Sequence, residues 1–215
     1  MSAEAAVETM AYRVYLPSAK RERERALVVG GTQGIGAAVA ERLVEMGWDV
    51  AATGREHFDI GCPHTWPTFF DALPEGHQFE LVVFCAGSLE PLAWDRKRWA
   101  EYVRSYEVHA LGPLALLARY KDNLFPWWTR VVFASTVGAI NAGAVDLGYG
   151  MAKAALEKAA RAIEEHEAWQ ITLVRLDLVD TRMLRLLPVD TLHGRPVLSP
   201  HEAAEIILRD AGLIL

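Results

Sequence analysis

Residues 29–36 read Val29-Gly30-Gly31-Thr32-Gln33-Gly34-Ile35-Gly36, and they follow the apolar run Ala26–Val29 directly. An amphipathic stretch comes next, with apolar residues at the spacing of one helical face until Gly47, a typical helix end. Glycines at such a turn let the backbone approach a pyrophosphate, and the N-terminus of the following helix attracts its negative charge. Strand, loop and helix in this order therefore predict a phosphate cradle, the alternative being an ordinary glycine turn.

The remainder of the chain continues the alternation of short apolar runs and longer helical segments. The predicted strands are Ala26–Val29, Val50–Thr53, Leu81–Phe84, Val131–Ala134 and Ile171–Leu176. Long helices are predicted over about 98–122 and 147–166, and a last helix begins at a capping box formed by Ser199 and Glu202 with Pro200 between them. This order predicts an α/β fold, a single Rossmann-like, doubly wound parallel sheet with helices on both faces.

Length and composition limit the possible functions. The chain has 215 residues and a net charge of -6, which fits one domain and gives no electrostatic support for a nucleic acid partner. We expect an N-terminal extension over 1–25 and one nucleotide-binding domain over 26–215. Two cysteines, no basic leader and no membrane-length apolar run lead us to expect a cytoplasmic protein without a membrane partner. The scattered histidines lead us to expect no metal site.

The end of the second predicted strand points to the kind of dinucleotide. A carboxylate there would bind the adenosine ribose hydroxyls and repel a 2′-phosphate, but the sequence has Gly54 followed by Arg55. The prediction is therefore NADP(H) in preference to NAD(H). The alternative interpretation of Arg55 is an ordinary surface arginine.

A candidate catalytic pair lies on the helix predicted over 147–166. Tyr149 and Lys153 are four residues apart, so the phenol and the ammonium share one helical face. A nearby ammonium stabilises the phenolate and lets the tyrosine exchange a proton near neutral pH. The pair follows the apolar run that ends in Ser135-Thr136, within a predicted nucleotide-binding chain.

These motifs together resemble the short-chain dehydrogenase/reductase family, in the family's order and over residues 26 to about 210. The glycine loop resembles TGxxxGxG with Val29 in the threonine position, and Tyr149 with Lys153 resembles YxxxK. The resemblance implies an oxidoreductase that moves a hydride between a nicotinamide and a carbonyl or alcohol carbon. Thr136 stands where the family has the serine that orients the substrate carbonyl, and Ser135 is a fallback candidate.

The resemblance also implies a set of cofactor-binding residues. They are Gly30, Thr32, Gln33, Gly34, Ile35 and Gly36 in the loop, Arg55 and Asp59 on the adenosine side, Ala86, Gly87, Tyr149, Lys153, and Thr181 on the nicotinamide amide.

Other positions depart from the family pattern. Cys85 replaces the asparagine of the family's Asn-Ala-Gly, and Leu176-Asp177 replaces Pro-Gly. Asp59 follows Arg55 so soon that the helix after the second strand must be missing or collapsed. Little sequence remains for a final strand after the capped helix, which puts the family's tetramer-forming edge in doubt.

His109 stands where the family has an asparagine at a helix break, whose main-chain carbonyl holds a water linked to the catalytic lysine. Pro113 lacks the N–H that would bond the carbonyl of residue 109 in an α-helix, so that carbonyl is predicted to stay free. We expect a backbone relay, with the imidazole either idle or acting as an extra proton carrier near its ordinary pKa of about 6.5. The alternative is a packing histidine beside an incidental kink.

Substrate and partner predictions depend on fewer residues. Trp94, Trp127 and Trp128 are candidates for the substrate pocket, although the last two are equally compatible with core packing. The apolar residues within 182–198 suggest a lid over a small, largely apolar substrate. We expect a homodimer through the two long helices. The competing class is a redox-silent NADP-binding regulator of the same fold, and a nucleotide-sugar epimerase or dehydratase would need a longer C-terminal domain.

Overall fold

The computed structural model describes residues 23–89, 99–140, 147–187 and 194–215. Most of the predicted N-terminal extension, Trp94 and part of the predicted lid therefore lie outside the described residues. Within the described residues, no helix is both long and apolar enough to pass through a membrane.

Five parallel strands form one sheet, and each coincides with an apolar run that predicted it. The strands are β1 Arg25–Val29, β2 Asp49–Thr53, β3 Leu81–Phe84, β4 Arg130–Thr136 and β5 Gln170–Leu176. Their order across the sheet is β2-β1-β3-β4-β5. The strand order therefore changes direction between the neighbouring strands β1 and β3, which is the topological switch point of the sheet. Open sheets of this kind bind ligands at the switch point, outside the carboxyl ends of the strands.

Six α-helices surround the sheet in the described part of the chain. They are α1 Gly34–Glu45, α2 Trp66–Phe70, α3 Trp99–Tyr106, α4 Gly112–Tyr120, α5 Leu147–His166 and α6 Pro200–Asp210. A π-helical turn over Glu107–Leu111 joins α3 to α4. The segment predicted as one helix over about 98–122 is thus interrupted just before Pro113, where the missing N–H prevents regular α-helical pairing.

The two faces of the sheet have separate apolar cores. Leu27, Phe84, Leu116 and Leu156 belong to the core on one face, together with the aromatic side chains of α2. Val39 of α1 and Ile207 of α6 belong to the core on the other. Helices therefore cover both faces, and the predicted doubly wound fold is confirmed.

Two local predictions from the sequence are also confirmed. Between β2 and β3 the structure has only a short 3-10 turn, Pro63–Thr65, and the five-residue helix α2, so the helix expected to be missing is indeed collapsed. At the start of α6, the Ser199 hydroxyl accepts from the amide of Glu202 at 3.2 Å, and the Glu202 carboxylate accepts from the Ser199 amide at 2.7 Å.

Candidate active site

The glycine loop after β1 leaves no room for side chains. Gly30 has φ +83°, and a Cβ at Gly30 would lie 2.5 Å from the backbone of Ala86. A Cβ at Gly36 would lie 2.1 Å from the carbonyl oxygen of Gly30. Such contacts are too short for any real side chain, so this close backbone packing requires glycine at both positions. The loop thus forms the narrow cradle that a pyrophosphate needs at the start of α1.

The predicted cradle residues and Thr181 lie together. Gly34 has φ +56°, and a Cβ there would lie 3.3 Å from the Thr181 methyl group, so the segment after β5 contacts the loop. Gln33 is the N-cap residue of α1, and its side chain makes no capping hydrogen bond among the described residues. The Gln33 side chain thus leaves the first amides of α1 open to another acceptor, such as a phosphate oxygen.

The adenosine side is built by the end of β2 and the loop after it. A Cβ at Gly54 would lie 2.5 Å from the Thr32 hydroxyl oxygen, so Thr32 occupies the space that a carboxylate side chain would fill. Arg55 follows and is exposed. The residues at this position fit a 2′-phosphate, because there is no carboxylate at Gly54 to repel it and a guanidinium lies next to it.

Asp59 has a partner that sequence reasoning missed. Both of its carboxylate oxygens accept from Arg104 of α3, at 2.7 and 2.6 Å, and Oδ1 also accepts from the Gly61 amide at 3.0 Å. This ion pair ties the loop after β2 to α3. The contact between Asp59 and adenine stays a prediction, and Asp59 would have to make it while paired with Arg104.

Cys85 connects the cradle to the predicted catalytic pair. Its Cβ lies 3.1 Å from the position of a Cβ at Gly36, and its amide donates to the carbonyl of Val29 at 2.8 Å. Burial raises the pKa of the thiol to about 12, against a lowering by the charge of Lys153. The thiol therefore stays protonated at neutral pH and acts as a small spacer where the family has an asparagine.

Lys153 is buried on α5 beneath Tyr149. Its Nζ donates to the carbonyl of Ala134 at 2.6 Å and lies 6.0 Å from the centre of the Tyr149 ring. Burial lowers the pKa of Lys153 to about 8, and the neighbouring Cys85 and Glu157 oppose that lowering. A lysine with this pKa changes its charge within the range in which enzymes work, which is typical of functional sites.

The two hydroxyl candidates at the end of β4 point to different neighbours. Ser135 is buried and donates to the Glu157 carboxylate at 2.7 Å, so the fallback assignment of Ser135 as a substrate-binding hydroxyl is wrong. Successive side chains of a strand alternate between its faces, which places Thr136 on the other side. The Thr136 Oγ1 accepts from the Gly138 amide at 3.1 Å, and its own O–H remains to donate to a ligand.

His109 lies in the π-helical turn and packs edge-on against Tyr149, with ring centres 4.7 Å apart. Its Nε2 lies 2.7 Å from the Ser88 carbonyl oxygen and 3.1 Å from the Ser88 amide. Burial, together with the charge of Lys153, lowers the pKa of His109 to about 3. The expectation of a proton carrier with a pKa near its ordinary value is therefore wrong, and the imidazole is neutral. The helix break is present, and the relay through the backbone carbonyl stays a prediction.

The segment after β5 packs against the strand ends. A Cβ at Gly87 would lie 2.9 Å from the terminal methyl of Met183 and 3.1 Å from Cε1 of His109. Residues 188–193 of the predicted lid lie outside the described residues. Its last residue, Leu198, forms a parallel bridge with Val179, which precedes the lid. Both ends of the segment are thus anchored beside the site.

The tryptophans predicted for the substrate pocket do not line the site in the described residues. Trp127 and Trp128 are 68% and 42% exposed and precede β4, at the amino ends of the strands. The site lies at the carboxyl ends of the strands, so the prediction that these tryptophans line the pocket is wrong. Their exposure shows that the core-packing interpretation is wrong as well. Trp94 is outside the described residues.

Sequence reasoning missed Glu157 as well as Arg104. Tyr149, Lys153 and Glu157 follow one another at intervals of four residues on α5, so the helical spacing alone contained the signal. Arg104 had no comparable signal, because its partner lies 45 residues away in the chain. Among the described residues, no group of three or more metal-ligating side chains could hold a metal ion.

Comparison with known proteins agrees with this geometry. The model of the NAD-dependent epimerase/dehydratase family matches residues 26–179. The uncharacterized oxidoreductase YvaG of Bacillus subtilis is 29% identical over 139 residues, which is 54% of this chain and 52% of YvaG. An uncharacterized oxidoreductase of Mycobacterium tuberculosis is 26% identical, covering 84% of this chain and 62% of that protein. The chain thus spans about half to three-fifths of the length of these relatives.

Solved structures share the fold. A short-chain dehydrogenase from Burkholderia cenocepacia in complex with NADP superposes with a TM-score of 0.73 at 21% identity, covering 89% of this chain and 92% of that one. A small-chain dehydrogenase in complex with NADPH gives a TM-score of 0.76 at 16% identity, covering 88% and 91% of the two chains.

Proposed function

Because the chain belongs to the NAD-dependent epimerase/dehydratase family, we propose that it is an NADP(H)-dependent oxidoreductase of the short-chain dehydrogenase/reductase type. It reduces a carbonyl carbon, or oxidises the corresponding alcohol, on a small and largely apolar substrate. One observation carries the proposal: Ala86 and Gly87, after β3, contact both parts of the site. A Cβ at Gly30 of the cradle would lie 2.5 Å from the backbone of Ala86, and a Cβ at Gly87 would lie 3.1 Å from His109, whose ring packs against Tyr149. Cofactor cradle and catalytic pair thus converge at one end of the sheet.

The choice of NADP(H) depends on the cradle and on the end of β2. The residues that would hold the pyrophosphate are Gly30, Thr32, Gln33, Gly34, Ile35 and Gly36. Arg55 would bind the 2′-phosphate, and Asp59 would face the adenine. Ala86 and Gly87 would let the chain pass close to the cofactor, and Thr181 would bind the nicotinamide amide. Neighbours of the same fold that were crystallised with NADP or NADPH support this choice. When bound, the nicotinamide supplies or accepts the hydride.

Three side chains donate the proton, stabilise the resulting phenolate or orient the carbonyl group. Tyr149 donates a proton to the carbonyl oxygen during reduction. Lys153 in its ammonium form stabilises the resulting phenolate, and it would bind the nicotinamide ribose. Thr136 donates a hydrogen bond to the carbonyl oxygen, which its orientation away from Glu157 leaves possible.

Exposed apolar side chains and free thiols support proposals for assembly and location. Apolar side chains on the two long helices are exposed, Trp99 by 82%, Leu111 by 58% and Met151 by 43%, which supports a homodimer through these helices. Both cysteines are free thiols, which supports a reducing compartment such as the cytoplasm.

The test is to mix the protein and NADPH with a panel of ketones and aldehydes. Oxidation of NADPH is monitored by the decrease in its absorbance. We expect turnover with NADPH, a lower rate with NADH, and a loss of both turnover and NADPH affinity in Lys153→Ala. Lys158→Ala is the matched control, because Lys158 is an exposed lysine on the same helix. Tight NADPH binding with no oxidation by any substrate would instead indicate a redox-silent regulator.

A further inference from the structure

One buried acid on α5 has no part in the proposed chemistry. Glu157 lies one helical turn beyond Lys153, and it is only 5% exposed. A carboxylate is rarely buried to this extent without a specific partner, since its ionised form loses its hydration.

The partners of Glu157 come from two strands. Ser135 of β4 donates to its Oε1 at 2.7 Å. Arg175 of β5 donates from Nε to Oε1 at 2.9 Å and from Nη2 to Oε2 at 2.5 Å. The carboxylate therefore joins α5 to two neighbouring strands at their carboxyl ends, and the paired donors of Arg175 fix its orientation.

The end of β4 is thus bonded to α5 at consecutive residues. Lys153 holds the carbonyl of Ala134 at 2.6 Å, and Glu157 holds the hydroxyl of Ser135. Thr136 follows immediately and ends the strand. We propose that Glu157 is a positioning residue that, through Ser135 and Arg175, fixes the end of β4 against the helix carrying Tyr149 and Lys153. This inference rests on the proposed function, because it concerns the alignment of Thr136 with the catalytic pair.

The charge of Glu157 also acts on Lys153. Burial opposes ionisation of Glu157, but hydrogen bonds from Arg175 and Ser135 hold its pKa below the ordinary value, and Arg161 adds to this. The resulting negative charge favours the ammonium form of Lys153. The other groups around Lys153 are Cys85 from the end of β3, His109 from the π-helical turn and Tyr149 from α5 itself. Cys85 and Glu157 both favour the ammonium form, Cys85 more strongly. Burial raises the pKa of Cys85 to about 12, so its thiol is still protonated where Lys153 titrates, and His109 is neutral. Glu157 is the acid of this group that is charged at neutral pH.

A purely structural ion pair is the competing explanation, and buried ion pairs often add little to stability. The two explanations differ in the titration of Lys153. A structural pair alters the unfolding temperature alone, whereas a positioning residue alters kcat and the pH at which Lys153 loses its proton.

The test compares Glu157→Gln with Glu164→Gln, an exposed acid on the same helix. The readouts are the pH profile of kcat with NADPH and an NMR titration of ¹³C-labelled lysine, with the Lys153 signal assigned from Lys153→Arg. We expect Glu157→Gln to lower kcat by about tenfold to a hundredfold and to move the Lys153 titration to lower pH. Ser135→Ala, which removes the bond to β4 but keeps the charge, should lower kcat without moving that titration.

Glu157→Asp is the further variant. Because aspartate keeps the negative charge, Lys153 should titrate at the wild-type pH, unlike in Glu157→Gln. Because its side chain is shorter, kcat should stay below the wild-type value. The proposal is overturned if Glu157→Gln matches Glu164→Gln in kcat, if it lowers kcat with an unmoved Lys153 titration, or if Ser135→Ala has wild-type kcat. If Glu157→Gln does not fold, Glu157→Asp and Ser135→Ala still decide the matter. A wild-type protein with no turnover would refute the proposed function, whereas the NMR titration would still report whether Glu157 acts on Lys153.

Discussion

Replacing Gly36 by alanine tests whether the glycine loop is the cofactor cradle. The new methyl carbon would lie 2.1 Å from the carbonyl oxygen of Gly30 and 3.1 Å from the Cβ of Cys85. Gly30 has little room to move away, because an atom added at its Cβ position would already lie 2.5 Å from the backbone of Ala86. The loop must therefore open by about 1 Å, and it must do so at the turn that would hold the pyrophosphate.

The cost can be estimated from that overlap. Overpacking of a tight interior site costs roughly 1–3 kcal/mol of unfolding free energy. Displacing one backbone amide from a phosphate oxygen removes a charge-assisted hydrogen bond worth about 1.5–3 kcal/mol. That loss corresponds to a roughly tenfold to hundredfold weaker affinity for NADPH.

The assay is fluorescence titration of NADPH together with denaturant unfolding. Gly47→Ala is the matched control, since Gly47 has φ +90° at the end of α1 and a Cβ there would meet nothing within 4 Å. The control should lose about 1–2 kcal/mol of stability through left-handed strain while keeping its NADPH affinity. Wild-type affinity in Gly36→Ala would refute the assignment of the loop.

Three further predictions follow from other parts of the site and the core. Arg55→Ala should lower the affinity for NADPH by about tenfold or more, the value of a charge-assisted contact, and leave that for NADH unchanged; equal losses for both cofactors would contradict the role of Arg55. Because burial lowers the pKa of Lys153 to about 8, reduction should slow as the pH rises through 8 and the ammonium is lost, and Lys153→Arg should abolish this basic limb. Burial also lowers the pKa of His77 to about 4, so the unfolded state binds the extra proton between about pH 6.5 and 4. The contribution of His77 to the free energy of unfolding should therefore be fully present above that range and fall on acidification by about 1.4 kcal/mol per pH unit. Urea unfolding at several pH values measures this dependence. If the unfolding free energy of His77→Phe varies with pH as steeply as that of the wild-type protein, His77 is not responsible.

The sheet was predictable because its strands are short, continuous apolar runs. Parallel strands covered on both faces bury every side chain, so Leu81–Phe84 stands out without any alternation, and the observed strand has the same bounds. The start of α6 was equally clear, because a capping box is a local signal. The π-helical turn over Glu107–Leu111 was foreseen only as a break, since Pro113 indicates the loss of a hydrogen bond but not the geometry that replaces it.

The site was predictable where one element carries the whole signal. Tyr149 and Lys153 lie on one helix, and their spacing already places them together. The partners of Asp59 and Ser135 were not foreseen, because Arg104 and Glu157 meet them only through the tertiary fold. The neutral state of His109 was also beyond the sequence, since it depends on complete burial beside a lysine.

Transfer of deuterium from NADPH labelled at its hydride-donating carbon tests the central claim most directly. With an accepted carbonyl substrate, the wild-type protein should give an alcohol that carries deuterium at the former carbonyl carbon, detected by mass spectrometry. Tyr149→Phe should bind NADPH normally yet transfer deuterium at least about a hundredfold more slowly, the usual contribution of a general acid. Absence of label in the product from the wild-type protein, or transfer by Tyr149→Phe at the wild-type rate, would contradict the account.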